Sequence, residues 1–191
     1  MSDRLYFSCS VRGLNDTNML RYFEKFLSEF PFSKLAARGP VLRVYAIQHA
    51  EPPVMEREFE LGAAAVHIIA VAREFAHPDC CVEIDAAWDL WQYHGEWKLQ
   101  PAAVTLACYG PSFDDDEAGQ LSIDFGLDAL FLPNPSIEGS LRMGQSNLRS
   151  LLHLVGEIEK ALPLESRRLW SESGANFAEV LTHSLGEFGV N

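Results

Sequence analysis

The feature that most restricts the fold is an alternating stretch between residues 80 and 110, CCVEIDAAWDLWQYHGEWKLQPAAVTLACYG. In its first half, apolar side chains occupy every second position from Val82 to Leu90. Successive side chains of a strand point to opposite faces of a sheet, so this period predicts a strand with one buried face. His94–Gly95 supplies a turn, and the whole stretch is therefore predicted to be a long β-hairpin.

The second half of this hairpin is out of phase with the first. Pairing Leu90 with Leu99 places both on the buried face, but beyond Leu99 the apolar positions change parity. One extra residue near Pro101 accounts for the change, so we predict a β-bulge there. Farther along the hairpin, Asp85 is predicted to lie opposite Thr105.

Hydrophobic periodicity predicts the other elements of the chain. Residues 54–61 alternate after Pro52–Pro53, but they also fit the start of one long helix that ends near Pro78. A strand is preferred because Gly62 separates this segment from the next apolar run. Strands are predicted at 4–11, 40–49, 54–61 and 120–126 and within 128–140, and helices at 15–31, 63–76, 145–163 and 173–188.

This order of elements predicts an α+β protein with a largely antiparallel sheet and helices on one face. The first six elements match a ferredoxin-like βαββαβ core, to which extra strands and C-terminal helices are added. A length of 191 residues fits a single domain, residues 1–191. The alternative is a division near residue 78, between a βαββα half and a β-rich half that carries the C-terminal helices.

Charge and composition restrict the partners of this chain. Its formal net charge is −12, and an acidic surface repels phosphate backbones and anionic lipids, so neither nucleic acid nor a membrane is expected as a partner. The longest apolar run, residues 61–72, is too short to span a bilayer, and the N-terminus lacks a signal region. The four cysteines are then expected to be reduced thiols. We expect a soluble cytoplasmic protein of bacterial type.

The stretch YGPSFDDDEAGQLSIDFG, residues 109–126, resembles part of a calcium-binding loop. Asp114, Asp116 and Gly119 fit the first, third and sixth positions of such a loop. Ala118 and Phe125 occupy the fifth and twelfth positions, where ligands are required. We therefore predict a solvated turn between two strands, with a loosely bound cation as the alternative.

The segment HPDCC, residues 77–81, contains four side chains of types that bind zinc. Zinc sites draw spaced ligands from two segments, whereas two adjacent cysteines on an extended chain point in opposite directions. His77 and Cys80 are weak candidates for metal ligands, and a buried thiol is the favoured interpretation. No cofactor is predicted.

Acidic side chains alternate with the apolar positions of the hairpin. Glu83, Asp85 and Asp89 share its polar face, and Asp124 on the next strand is positioned to join them. Crowded carboxylates can act as general acids and bases, which makes Glu83, Asp85 and Asp124 weak catalytic candidates. The solvated face of an antiparallel sheet gives the same pattern and is the simpler interpretation.

Two aromatic side chains, Trp91 and Tyr109, fall on this polar face together with Asp89, and these three residues are weak candidates for a binding site. The sequence contains no G-x-S-x-G, P-loop, G-x-G-x-x-G or HExxH motif. A non-catalytic binding or protein-interaction module is the favoured function, either masking a basic partner or working as a homo-oligomer. The alternative is a hydrolase-type enzyme that uses the carboxylates or a His/Cys metal site, and the sequence leaves open whether the protein is an enzyme.

Overall fold

The computed structural model of the protein describes residues 3–113 and 119–188, with backbone alone at 187 and 188. The described residues form seven strands, four α-helices and two single-turn 3-10 helices, Arg73–Phe75 and Asp128–Leu130. The strands are β1 (Arg4–Val11), β2 (Val41–Ala46), β3 (Met55–Glu58), β4 (Cys80–Tyr93), β5 (Trp97–Tyr109), β6 (Leu121–Leu127) and β7 (Leu164–Ser171). The helices are α1 (Met19–Glu29), α2 (Ala65–Ala72), α3 (Ser140–Ala161) and α4 (Phe177–Phe188).

All seven strands belong to one antiparallel sheet with the order β3-β2-β4-β5-β6-β1-β7. The predicted α+β class and the antiparallel sheet are therefore confirmed. The ferredoxin-like core is not confirmed, because β1 pairs with β6 on one side and with β7 on the other. The long β4–β5 hairpin occupies the centre of the sheet, and the short, charged β3 forms one edge.

The core lies between one face of the sheet and the helices. Helices α1, α2 and α3 each contribute an apolar stripe at helical spacing, as the periodicity predicted, whereas Phe177 is the one buried side chain among the described residues of α4. In α1 the buried side chains are Met19, Leu20, Phe23, Phe26 and Leu27, and in α3 they include Leu151, Leu154, Val155 and Ile158. They pack against alternate strand residues such as Phe7, Ile84 and Leu106, so side chains from before and after residue 78 share one core.

The β4–β5 hairpin corrects one prediction and confirms another. Its register runs without a shift from the pair Tyr93 and Trp97 to the pair Cys81 and Tyr109, so the predicted β-bulge near Pro101 is wrong. The predicted pairing of Asp85 with Thr105 is confirmed, whereas Leu90 pairs with Gln100 rather than with Leu99.

The change of parity has a different cause. Leu99 pairs with Trp91 on the face opposite the core, where it is 43% exposed. Tyr93 and Trp97 form the next pair on that face. Apolar side chains therefore change face at the end of the hairpin because an aromatic group lies there, and no residue is inserted.

Two further segments differ from the predictions. Within 128–140 the chain forms the 3-10 turn Asp128–Leu130 and a loop instead of a strand, and α3 begins at Ser140, five residues earlier than predicted. Strand β7 was not predicted, because its sequence LESRRLWS carries charged side chains and lies at an edge of the sheet. Among the helices of the described segments, none combines the length and apolar character that crossing a membrane requires.

Candidate functional site

The sheet has a second face, opposite the core, which we call the open face. Directly paired residues share a face, so the strand register identifies its two central rows. One row contains Glu56, Arg43, Glu83, Ala107, Ser122 and Ser8, and the next contains Glu58, Val41, Asp85, Thr105, Asp124 and Tyr6. The buried apolar side chains of the described helices pack against the other face.

Asp85 lies at the centre of the open face and is held from two sides. Thr105 Oγ1 donates a hydrogen bond to its Oδ1 at 2.9 Å, and the Arg43 guanidinium binds its Oδ2. The Nε atom of the same arginine donates to Glu56 Oε2 at 2.7 Å. Arg43 therefore bridges carboxylates from two different strands.

Glu83 is more deeply placed than Asp85 and Asp124, with its side chain 17% exposed against 39% and 22%. Burial, together with the negative charges of Asp85 and Asp124 and against the opposing effect of Arg43, raises the pKa of Glu83 to about 7. His49 Nε2 lies 3.6 Å from Glu83 Oε2. Near neutral pH this position can therefore hold or release a proton.

Asp124 completes the group of predicted catalytic candidates. Arg4 donates to its Oδ2 from Nε at 2.9 Å and from Nη2 at 2.6 Å, and the Gly126 amide donates to its Oδ1 at 2.9 Å. Thr105 lies between Asp85 and Asp124 in the same row, so these two carboxylates are two strand spacings apart, roughly 10 Å. The structure thus brings Glu83, Asp85 and Asp124 onto one surface, each beside a basic side chain.

An aromatic cluster borders one end of the open face. It contains Tyr45, His49, Tyr109 and Phe113, with ring centroids 4.9 to 6.0 Å apart. Tyr109, one of the predicted binding residues, packs within this cluster. The acids of the calcium-like stretch, at 114–116, lie outside the described residues.

A cleft of about 490 Å³ opens beside Asp85, between the loop at 32–41 and residues 61–63. Asp89, another predicted binding residue, shapes this cleft. Ser33 Oγ donates to Asp89 Oδ1, and the Lys34 amide donates to Asp89 Oδ2 at 2.9 Å. Asp89 therefore holds the loop in place.

A second cleft, which we call the hairpin cleft, lies at the turn end of β4 and β5. Its volume is about 650 Å³, and the hairpin end, residues 127–137 and α4 form its walls. Trp91, the third predicted binding residue, lines it together with Tyr93 and Trp97. The structure therefore places the three predicted binding residues at three separate positions.

The predicted metal candidates, His77 and Cys80, lie in the turn before β4. His77 Nδ1 is 2.5 Å from Asp79 Oδ1, and the buried Cys80 thiol donates to the Phe75 carbonyl at 3.4 Å. Burial raises the pKa of Cys80. Within residues 3–113 and 119–188, no group of three His, Cys, Asp or Glu side chains is arranged to hold a metal ion.

Comparison with known protein families, with curated proteins and with solved structures found no match for this chain. Functional inference therefore depends on the geometry of the open face and of the two clefts. Sequence reasoning missed Arg43 and Arg4 as partners of the carboxylates. The alternation of β2 places Arg43 on a polar face, but its contact with Asp85, 42 residues away, depends on strand order.

Proposed function

We propose that the protein is a non-catalytic interaction module whose open face binds a basic protein partner. The observation that carries this proposal is the group of carboxylates on the sheet face opposite the core, where the side chains of Glu83, Asp85 and Asp124 are 17%, 39% and 22% exposed. The net charge of −12 adds a long-range attraction for a basic partner. The four cysteines are buried and none of them is in a disulfide bond, which favours action in the cytoplasm.

The shape of the open face supports the same proposal. In the Glu83 row Ala107 and Ser8 are buried, whereas the Asp85 and Asp124 side chains of the neighbouring row are 39% and 22% exposed. A partner can therefore place basic side chains beside the Asp85 and Asp124 carboxylates. Complementary charges at such an interface increase the association rate and select against acidic proteins.

The hydrogen bonds of the site favour binding over catalysis. Oxygen atoms of Asp85 accept from Thr105 and Arg43, and those of Asp124 accept from Arg4 and a backbone amide. A general base needs an oxygen atom that is available to the proton it removes. In a binding face, by contrast, an arginine that already pairs with a carboxylate can exchange with a basic group of the partner.

The test compares two double variants that remove the same charge from different surfaces. Asp85→Asn/Asp124→Asn changes the open face, and Glu29→Gln/Glu74→Gln changes the helix side. Each removes two acids, so the formal net charge goes from −12 to −10 in both. Immobilised wild-type protein captures partners from a cell extract, and each captured protein is then purified and titrated calorimetrically at low and high salt.

We expect a basic partner that binds the open-face variant at least tenfold more weakly, about 1.4 kcal/mol, and the helix-side variant within about twofold of wild type. A partner that binds both variants equally well would contradict the proposal, and so would a partner set without basic proteins. Sedimentation of the protein alone tests the homo-oligomer alternative, because self-association through this face would be lost in the open-face variant only.

A hydrolase-type activity is the second candidate function. It is favoured by one observation: Glu83, with a pKa of about 7, neighbours Asp85, which lines the 490 Å³ cleft. A panel of chromogenic ester, glycoside and phosphate substrates tests it. An activity that Glu83→Gln abolishes and Glu74→Gln retains would support catalysis, whereas no turnover, or equal turnover by both variants, would exclude a role for this carboxyl group.

A further inference from the structure

The hairpin cleft has a wall of aromatic side chains. Trp91, Tyr93 and Trp97 line it, and the Tyr93 and Trp97 rings lie 5.3 Å apart between centroids at an angle of 53°. Tyr93 is 42% exposed, so its ring is open to solvent at the mouth. The cleft, of about 650 Å³, has the size of a small-molecule site.

Two aspartates are among the described residues that line the hairpin cleft. Asp3 and Asp128 both line it, and the Asp128 amide donates to the Asp3 carbonyl at 2.8 Å. Among the described residues that line the cleft there is no lysine or arginine, although His183 is present. Asp128 is 6% exposed, and burial followed by the charge of Asp3 raises its pKa. A bound cation would offset both effects.

Hydrogen bonds fix the walls of the hairpin cleft in place. Asn147, on α3, accepts from the Trp91 amide at 2.9 Å and donates to the Trp91 carbonyl at 2.9 Å and to the Leu130 carbonyl at 2.7 Å. Trp97 Nε1 donates to the Glu138 carbonyl at 2.8 Å. The aromatic wall is therefore positioned before any ligand arrives, which lowers the entropic cost of binding.

We infer that the hairpin cleft binds a small organic cation, an alkylammonium or guanidinium group, between its aromatic rings and its two carboxylates. Aromatic faces attract cations through their quadrupole, and tryptophan is the strongest of the aromatic side chains in this respect. The carboxylates add a second attraction that excludes anions. This site is separate from the carboxylates of the open face, and the inference does not depend on the proposed function.

The test is a titration followed by nuclear magnetic resonance of the four indole N–H groups. Trp91 and Trp97 line the hairpin cleft, whereas Trp88 is buried in the core and Trp170 stacks on Tyr6, so the last two serve as internal references. The probes are choline chloride and ethylguanidinium chloride. The neutral analogue of choline, 3,3-dimethyl-1-butanol, and sodium chloride at equal ionic strength are the controls.

We expect saturable shifts of the cleft indoles with both cations and at least fivefold weaker binding of the neutral analogue. Asp128→Asn should weaken cation binding at least fivefold. Asp3→Asn should weaken it as well and provides a second variant if Asp128→Asn does not fold. Glu74→Gln, which removes one negative charge at an exposed position on the helix side, should leave it unchanged. Equal affinity for the neutral analogue, equal weakening by Glu74→Gln, or no saturable shift would overturn the inference.

Two sources can supply this cation, a free metabolite or a basic side chain of a partner protein. The blocked peptides acetyl-Gly-Lys-Gly-amide and acetyl-Gly-Arg-Gly-amide distinguish them. Binding of a peptide at least as tight as that of the free cation supports a partner side chain. Binding of the free cations alone supports a small-molecule ligand. Failure of all four probes would refute the inference and leave the open-face proposal untouched.

Discussion

Replacing Glu83 by glutamine tests the energetics of the open face most directly. Burial and the neighbouring negative charges together raise the pKa of this carboxyl group from 4.5 to about 7, so ionising it in the folded protein opposes folding. A change of one pKa unit corresponds to about 1.4 kcal/mol. The difference between the two pKa values gives an upper bound of about 3 kcal/mol for the destabilisation of the folded protein by ionised Glu83. The Glu83 side chain is 17% exposed. Glutamine has nearly the same shape and does not ionise.

The sign of the pH dependence follows from proton binding. Between pH 4.5 and about 7 the folded protein holds the Glu83 proton and the unfolded chain releases it, so unfolding becomes more favourable as the pH rises. The stability contribution of the protonated group is complete below pH 4.5 and is lost as the pH rises through 7. We therefore expect Glu83→Gln to match wild type at pH 4 and to be about 2 to 3 kcal/mol more stable at pH 8.

Urea denaturation followed by tryptophan fluorescence, at intervals from pH 4 to pH 8, measures this difference. Other titrating groups are common to both proteins and cancel in the comparison. Glu74→Gln, at an exposed position, measures the effect of removing one negative charge from an acidic protein. The reasoning is refuted if the Glu83→Gln difference is independent of pH, or if this variant is the less stable protein at pH 8.

Three further predictions concern the scaffold. Asn147→Ala should lower the free energy of unfolding by about 2 to 4 kcal/mol in urea titrations, because it removes three hydrogen bonds at a buried side chain. Gly39→Ala should lower the melting temperature, because a Cβ atom there would lie 2.0 Å from a backbone oxygen. Gly156→Ala should raise the melting temperature, because a Cβ atom there would have no neighbouring atom within 4 Å. Cys9 and Cys108 should resist iodoacetamide at pH 8 in the native protein and react with it after denaturation. The reason is that burial raises the pKa of both thiols, that of Cys9 to about 12. Peptide mass mapping of the alkylated protein measures this difference.

Local pattern was sufficient to predict much of this fold. Alternation in residues 80–110 predicted the central hairpin and the pairing of Asp85 with Thr105, and helical stripes predicted α1 and α3. The predicted bulge was wrong because alternating apolar positions identify the buried face of a strand only when the other face is polar. At the Leu99 end of the hairpin, both faces carry apolar side chains. Strand order depends on pairings between distant segments, which local pattern does not contain, and this explains why the ferredoxin-like arrangement is not confirmed.

The candidate site shows the same division between local and distant information. Alternation predicted that Glu83 and Asp85 share a face, because both belong to one strand. Their distance from Arg43 depends on the pairing of β2 with β4. The hairpin cleft forms only because residues 127–137 lie beside the turn end of β4 and β5. Sequence therefore predicted the acidic residues but neither their basic partners nor the cleft.

Glu83 also bears on the choice between a structural and a functional open face. A solvated sheet face can be built from threonine, serine and fully exposed charges, none of which opposes folding. This chain instead holds a carboxyl group at a position where ionisation opposes folding by up to about 3 kcal/mol. Proteins retain such destabilising groups chiefly where function requires them. A basic group from a partner would favour the ionised form of Glu83, so binding at the open face should strengthen as the pH rises through 7, whereas contact with neutral surfaces alone would show no such dependence.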